Sequence, residues 1–489
     1  MKVVSAALPE PGDRGGQPEL RLTVPLPLAD TPERSLPFDI AGAAMIEQAA
    51  TYIDTHGQEL LRAGFSLHVR ETDGSPKILV LMAETHAAQR RFGRREWQGP
   101  LADGAPALAA IGTSLLKTFT GITVHALAPI FTIRTRAMSR SIARGSASIA
   151  AAFVQTRISA GDRDRRVAEI ILRLERGTPR DLHAVAREWG TGIPLRIGAT
   201  GDFEHGQILL DPVGEPLKVM KTVAFLPEMP AEASFAAMVG AGLRHFRVSE
   251  ERLRLSPVRA DLIQLAASVR HLHVALALFE DMLKGSDLDR FRSEFGWLAR
   301  ELSEILTADL IATRAGQTVA AGESDRMGDE GAARLSLLFD SRRYRSLPLD
   351  FAEWAAVGEW RSSNIAAEQR QRLFAEFAAA GLIRIRKRLK DWARHRQRLD
   401  LAERQQTLAA SKRLRQVAEI IVKPGQTRRA DLFSNALDDF EAELGELSGT
   451  ASVHAALNEL AMIEGRQILA PRIERDAATD DTRGGAAQR

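Results

Sequence analysis

The chain has 489 residues, enough for two or three domains that each bury a core of their own. With 45% hydrophobic and 26% charged residues it is composed like a globular protein, and a net charge of only +3 means that any attraction to an anion must come from local clustering. The lack of cysteine excludes disulfides, thiolate metal sites and cysteine nucleophiles, and it fits a reducing compartment.

Met1 to Gly16 contains one early lysine followed by proline, glycine and acids, with no apolar stretch of signal-peptide length. A disordered tail over 1–16 and no secretion signal are expected. No apolar run is long enough to cross a bilayer, so the expectation is a soluble, cytoplasmic protein that does not engage a membrane.

From Gln17 to Leu210 short alternating segments dominate. Glu19 to Val24 places Leu20, Leu22 and Val24 on one face and Glu19, Arg21 and Thr23 on the other, the pattern of a half-buried strand. Strands are likewise predicted at Phe65–Arg70, Lys77–Met82, Ile130–Arg136, Ser148–Ile158 and Ala168–Leu174, and helices at about Ala41–Ala63 and Pro179–Trp189. Many alternating strands with few helices imply an antiparallel sheet or barrel.

A proline-containing stretch over 211–230, DPVGEPLKVMKTVAFLPEMP, reads as a linker. Beyond it the period becomes helical, with Val269, Leu272, Leu276, Phe279 and Leu283 recurring at three and four residues. Helical patterning fills 231–475, interrupted by a glycine-rich polar segment from Arg314 to Gly331 that divides it into two bundles. Arg270-His271-Leu272-His273 and Lys412-Arg413-Leu414-Arg415 share the form basic, basic, Leu, basic, as a duplicated bundle would. Residues 476–489 read as a disordered tail.

Specific stretches resemble known families. Tyr52-Ile53-Asp54-Thr55, Leu61 to Arg70 (LRAGFSLHVR), Arg95-Glu96-Trp97, Leu127 to Arg136 (LAPIFTIRTR) and Ala168 to Gly177 (AEIILRLERG) resemble CYTH proteins, whose fold is a triphosphate tunnel of antiparallel strands. Val269 to Phe279, Ser341 to Trp354 and Ser411 to Ile421 resemble CHAD, a domain of two duplicated four-helix bundles associated with inorganic polyphosphate. The fold class implied is α+β, a CYTH-like tunnel over 17–210 followed by an all-α pair of four-helix bundles over 231–475.

The chain departs from both patterns where the families keep their functional residues. In place of the CYTH opening Glu-x-Glu-x-Lys stands Gln17-Pro18-Glu19-Leu20-Arg21, and the lysine expected at the end of the third strand falls at Ala83. Ala150 and Val154 replace an acidic pair, and the late Glu-x-Glu-x-Glu strand retains only Glu169, with Ile171 and Arg173 beside it. His68 replaces one arginine of the Ser-Leu-Arg-Val-Arg stretch, while Arg70 remains. Mg²⁺ or Mn²⁺ needs several carboxylates aimed at one point, and Leu79, Leu81, Ala83, Ala150, Ala152 and Val154 on the corresponding faces offer none. Glu19, Glu169, Glu96 and Glu175 remain among the acids. The simple reading is that Glu19 and Glu169 pair with nearby arginines.

In the helical half the resemblance implies a basic row at i, i+4, i+7. The positions are Ala266, Arg270 and His273 in the first repeat, and Leu408, Lys412 and Arg415 in the second. The histidine that names CHAD is replaced by Ile263 and Gln405. Between Arg384 and Arg415 stand twelve Lys and Arg against three acids, with Arg384 and Arg388 near one helical stripe, so the segment is strongly positive.

Three readings follow. The first is a non-catalytic or weakly catalytic phosphoanion-binding protein, with inorganic polyphosphate or another polyanion as partner and an association with polyphosphate granules. Its phosphate-binding residues would be Arg21, Arg70, Arg134, Arg136, Arg270, His273, Arg384, Arg388, Lys412, Arg413 and Arg415. The second is a metal-dependent inorganic triphosphatase using Mg²⁺ or Mn²⁺ held by Glu19 and Glu169. The third is a nucleic-acid binder or protein-interaction scaffold, ranked lower because aromatics are sparse and no nucleic-acid module is present.

Overall fold

The computed structural model describes residues 18–26, 36–40, 43–72, 75–83, 96–101, 127–198, 201–210, 229–283, 285–315, 326–362, 367–374 and 377. The chain divides into two compact units, Met1–Phe374 and Ala375–Arg489. All that follows concerns the first.

Among the described residues nine strands form one antiparallel sheet. They are β1 (Glu19–Thr23), β2 (Ala44–Thr55), β3 (Phe65–Thr72), β4 (Ile78–Ala83), β5 (Glu96–Pro100), β6 (Leu127–Arg144), β7 (Ala147–Ala160), β8 (Arg163–Arg176) and β9 (Arg196–Ile197), in the order β5-β4-β3-β2-β6-β7-β8-β1-β9. The long β6-β7-β8 meander turns through two-residue loops that each open on a glycine at positive φ, Gly145 at 57° and Gly161 at 62°. Such turns match the right-handed twist of the flanking strands.

The alternation read in Glu19 to Val24 holds, with Leu20 and Leu22 buried and the residues between them half-buried. Their buried face, here the outer face of the sheet, packs under helix α2 (Pro179–Gly192) through Leu182, Val185, Ala186 and Trp189 against Ile149, Phe153, Ile170 and Leu172. Each Val, Leu, Ile or Phe among them contributes about 1.5–3 kcal/mol on burial. Pro179 sits in the first turn of α2, and Asp181 accepts from the Thr178 N–H at 2.7 Å, which satisfies an otherwise orphaned donor.

The helix expected over 41–63 is not formed. Ala44–Thr55 is the strand β2, bonded to β3 on one side and β6 on the other, and only Glu59–Arg62 is helical, as α1. The alanines that favour a helix locally are overridden by two hydrogen-bonded ladders and by Tyr52, which stacks on Phe131 at 4.5 Å. Buried Asp54 then caps α1, accepting from the N–H groups of Leu60 and Leu61 at 3.0 Å each.

Helix α3 (Asp202–Leu210) lies on the other, inner face. Phe203, Leu209 and Leu210 pack on Tyr52, Phe131, Ile133, Ile158 and Val167, and Gly206 lies so near Phe131 that a β-carbon there would meet its ring at 2.2 Å. The helical part follows with α4 (Ala231–Leu255), α5 (Arg259–Leu278), α6 (Ser286–Ala315), α7 (Asp329–Asp340), α8 (Arg342–Val357) and α9 (Ala367–Gln371). The chain is thus α+β. Phe235, Phe279, Phe291, Phe351, Trp354 and Trp360 build a buried aromatic core among these helices, which assigns Trp354 and Trp360 to packing. Trp297 is covered by the Arg343 guanidinium at 3.9 Å. Trp392, the linker over 211–228, the second basic repeat and all of 378–475 lie outside the described residues. Among the described residues no helix is long and apolar enough to cross a membrane.

Candidate functional site

Strand pairing decides which side chains share the inner face. Thr23, Arg21 and Glu19 stand opposite Glu169, Ile171 and Arg173 on β8, which in turn face Val154, Ala152 and Ala150 on β7. Val154 then pairs with Ala137 on β6, and these four small or branched residues (Ala137, Ala152, Val154, Ile171) make an apolar floor. Ala150, Ala152 and Val154 thus occupy the expected face. Leu79, Leu81 and Ala83 do not, because alternation along β4 turns Ile78, Val80 and Met82 toward the side of His68 and Arg70.

On that floor Glu19 and Glu169 are engaged by arginine. Arg21 Nε donates to Glu19 Oε1 at 3.0 Å, its Nη1 lies 3.7 Å from Glu169 Oε2, and Arg173 Nη2 donates to Glu19 Oε2 at 3.4 Å. Burial pushes the Glu169 carboxyl up from its ordinary value, and the attraction of Arg21 and His205 only partly offsets this. Burial alone would weaken Arg21 as a base, yet Glu169, Glu19 and Asp202 hold it above its ordinary value. Gly198 permits the close fit, since a β-carbon there would lie 2.9 Å from Glu169 Oε1.

The same face continues into a buried charge network where α3 and α4 close over β8 and β9. His205 Nδ1 lies 3.1 Å from Glu251 Oε2, and Arg165 Nη2 donates to that same oxygen at 3.1 Å. Arg247 pairs with Glu250, reaches to 3.9 Å from Glu251, and donates from Nε to the Ile197 carbonyl at 2.7 Å. Arg196 and Arg254 also converge on Glu250 Oε1, at 3.2 and 3.1 Å, and Arg244 pairs with Glu204. Burial would raise the Glu251 carboxyl, but His205, Arg165 and Arg247 hold it far below the usual carboxylate range. The sheet and the first helices are therefore joined through buried ions. Removing one partner of such a pair typically costs about 3–5 kcal/mol.

The expected site residues fall into separate places. Glu19, Arg21 and Glu169 are brought together. Arg70 is on the inner face but buried several strands away on β3, with its Nη2 donating to Gln98 Oε1 at 3.4 Å. Arg134 and Arg136 are on the outer face, because Ile133, Thr135 and Ala137 take the inner positions of β6; Arg136 pairs there with Glu47 at 2.8 Å. Glu175, at the exposed end of β8, accepts from Ser141 and Ser148 at 2.7 Å each. On α5, Ala266 and His273 are half-buried and Arg270 is exposed, flanking the core stripe of Leu262, Leu265, Val269 and Leu272. The side chain of Glu96 and all of Arg384, Arg388, Lys412, Arg413 and Arg415 lie outside the described residues.

A divalent cation does not fit the inner face as built. Glu19 and Glu169 are matched by arginines, the positions between them and β6 are Ala, Val and Ile, and among the described residues no group of three or more acids or histidines is arranged to hold an ion. The network of Arg165, His205, Arg247, Glu250 and Glu251 had no expectation attached to it. Its signal was nevertheless present, as Arg and Glu at three- and four-residue spacing along α4.

Residues 237–458 match the CHAD domain family. No curated protein sequence matches the chain. Among solved structures, an adenylyl cyclase from Hippeastrum described as revealing a dominant triphosphatase activity is 12% identical, with a TM-score of 0.28, over 39% of this chain and 95% of that one. The CHAD domain from the plant Ricinus communis is 21% identical, with a TM-score of 0.35, over 54% of this chain and 91% of that one. A protein from Bacillus halodurans described as an adenylate cyclase is 15% identical, with a TM-score of 0.24, over 36% of this chain and 88% of that one.

Proposed function

We propose that this chain, whose helical half carries the CHAD match, is a non-catalytic binder of inorganic polyphosphate or a related phosphoanion, and that its sheet serves as scaffold. The observation that carries the reading is the engagement of Glu19 by Arg21 and Arg173 and of Glu169 by Arg21. Carboxylates matched by arginine are poor ligands for a metal, and among the described residues no group of three acids or histidines is placed to hold an ion that could polarise a water. Anion binding is supported by Arg270 and His273 on α5 and by the twelve bases between Arg384 and Arg415. Rows of guanidinium and ammonium groups on helices attract a flexible polyanion without reading any sequence.

The test uses one preparation of the full chain, assayed for retention of long-chain polyphosphate and for phosphate release from tripolyphosphate with Mg²⁺ or Mn²⁺. Expected are salt-sensitive retention, weakened by joint replacement of Lys412, Arg413 and Arg415 with Ala, and no phosphate release. Metal-dependent release abolished by Glu169→Ala would make the chain a triphosphatase instead. Cytoplasmic residence at polyphosphate granules belongs to the same proposal and is checked by imaging a tagged chain.

A further inference from the structure

Helices α4 and α5 lie side by side, with Met238 against His271 toward one end of the pair and Arg252 against Asp261 toward the other. Two histidines stand in the seam between them. His245 of α4 is 2% exposed; the Gln264 side chain of α5 hydrogen-bonds its ring, and among the described residues its Nδ1 has no partner. His271 of α5 is half-buried, and its Nε2 donates to the Met238 carbonyl of α4 at 3.3 Å. Gly242 admits that ring, since a β-carbon there would lie 3.1 Å from His271 Cδ2.

Among the described residues no carboxylate acts on either ring. One turn to either side of His245 stand Ala241, Gly242, Val248 and Ser249, and of His271 Ala267, Ser268, Val274 and Ala275, none of which carries a charge. The ions of the surrounding elements are matched elsewhere: Arg244 with Glu204 of α3, Arg252 with Asp261 of α5, Arg259 with Asp309 of α6, and Glu232 with Arg361 and with Arg370 of α9. Tyr344 of α8 faces Arg247 and Glu250. On α5 itself, exposed Arg270 and half-buried His273 lie off the stripe of Gln264 and His271.

In an imidazolium both nitrogens donate, so protonated His245 would hold a charged N–H at Nδ1 with no acceptor, in a packed interior. We infer that His245 and His271 form an acid-released latch: neutral, they close the seam between α4 and α5, and protonation opens it. Burial first, and His271 second, bring His245 down to about 4 from the ordinary 6.5, and burial lowers His271 as well, partly offset by the Met238 carbonyl. Folded values below the unfolded one mean that the latch contributes fully above pH 6.5 and is lost as pH falls through the folded values. Helix α4 anchors the sheet through Glu251, while α5 bears Arg270 and His273, so opening this seam parts that anchor from those two residues. The inference does not depend on what the chain binds.

Hydrogen exchange of the full chain, read by mass spectrometry on peptides from α4 and α5 and corrected for the intrinsic pH dependence of exchange, gives the opening constant of the seam from about pH 7.5 to about pH 4.5. The comparison takes the unaltered chain, His245→Gln with His271→Gln, Gln264→Glu, and, as control, His56→Gln at an exposed position. In the unaltered chain the constant is expected to rise below pH 6.5, by up to about tenfold per pH unit for each histidine. The double variant cannot take up those protons and is expected to lose the rise, while the control keeps it. Gln264→Glu, close to glutamine in shape, gives His245 a counter-ion and is expected to reduce the rise, which decides the matter even where the double variant fails to fold. A level profile in the unaltered chain, an undiminished rise in the double variant or in Gln264→Glu, or loss of the rise in the control overturns the latch.

Discussion

The two faces of the sheet use arginine in opposite ways. Inside, Arg21, Arg165, Arg173 and, from α4, Arg247 are each closed onto a carboxylate and largely withdrawn from water. Outside, Arg134, Arg136, Arg157 and Arg166 are exposed, and Arg136 and Arg157 pair with Glu47 and Asp164 at the surface. Strand β8 draws the contrast within two residues, since Arg165 fastens Glu251 of the helical part while Arg166 lies exposed on the other face. The count of arginines thus says little about anion binding. What matters is whether burial has already matched each one.

Breaking the inner set is expected to have the largest effect. Arg247→Ala leaves Glu250 and Glu251 buried beside a missing cation and frees the Ile197 carbonyl, so a loss of about 3–5 kcal/mol is expected in urea unfolding. A loss under ~1 kcal/mol would mean that the inner pairs behave like surface ones. A smaller, pH-dependent effect is expected at Glu169. Burial raises its folded-state value above the ordinary 4.5, so its contribution to stability is complete below 4.5 and declines as pH rises through the folded value. Glu169→Gln lacks that titration, and its stability relative to the unaltered chain should improve across the same window. A difference that stays flat with pH would show Arg21 compensating fully. The outer set should respond least, with Arg136→Ala, at an exposed pair with Glu47, costing no more than ~1 kcal/mol by thermal unfolding.

Much of this was legible in the sequence, and the exceptions have physical causes. The strict alternation of Glu19 to Val24 put Arg21 and Glu19 together correctly, and because Glu169 stands opposite Thr23 across the ladder, their pairing followed. Alternation also contained the information that Arg134 and Arg136 face away from Ile133 and Ala137. Which face was inner, however, depended on where α3 and the helices settled, and that is a tertiary matter. Ala44 to Thr55 was misjudged because alanine's helical preference is a local energy of a few tenths of a kcal/mol, and two ladders outweigh it. The network around Glu251 needed Arg165, His205 and Arg247 to meet from three elements far apart in sequence.

The ionic weld between β8, β9 and α4 has a consequence for how the molecule can be partitioned. The stretch matching CHAD runs from 237 to 458, whereas the compact body that contains the sheet extends to Phe374. The segment that carries the kinship and the segment that holds together physically have different borders. A cut made where the kinship begins would leave Arg165 and His205 on one fragment and Glu251 on the other, parting charges that meet across the incision. Modular ancestry and mechanical integrity are, in this chain, drawn along separate lines.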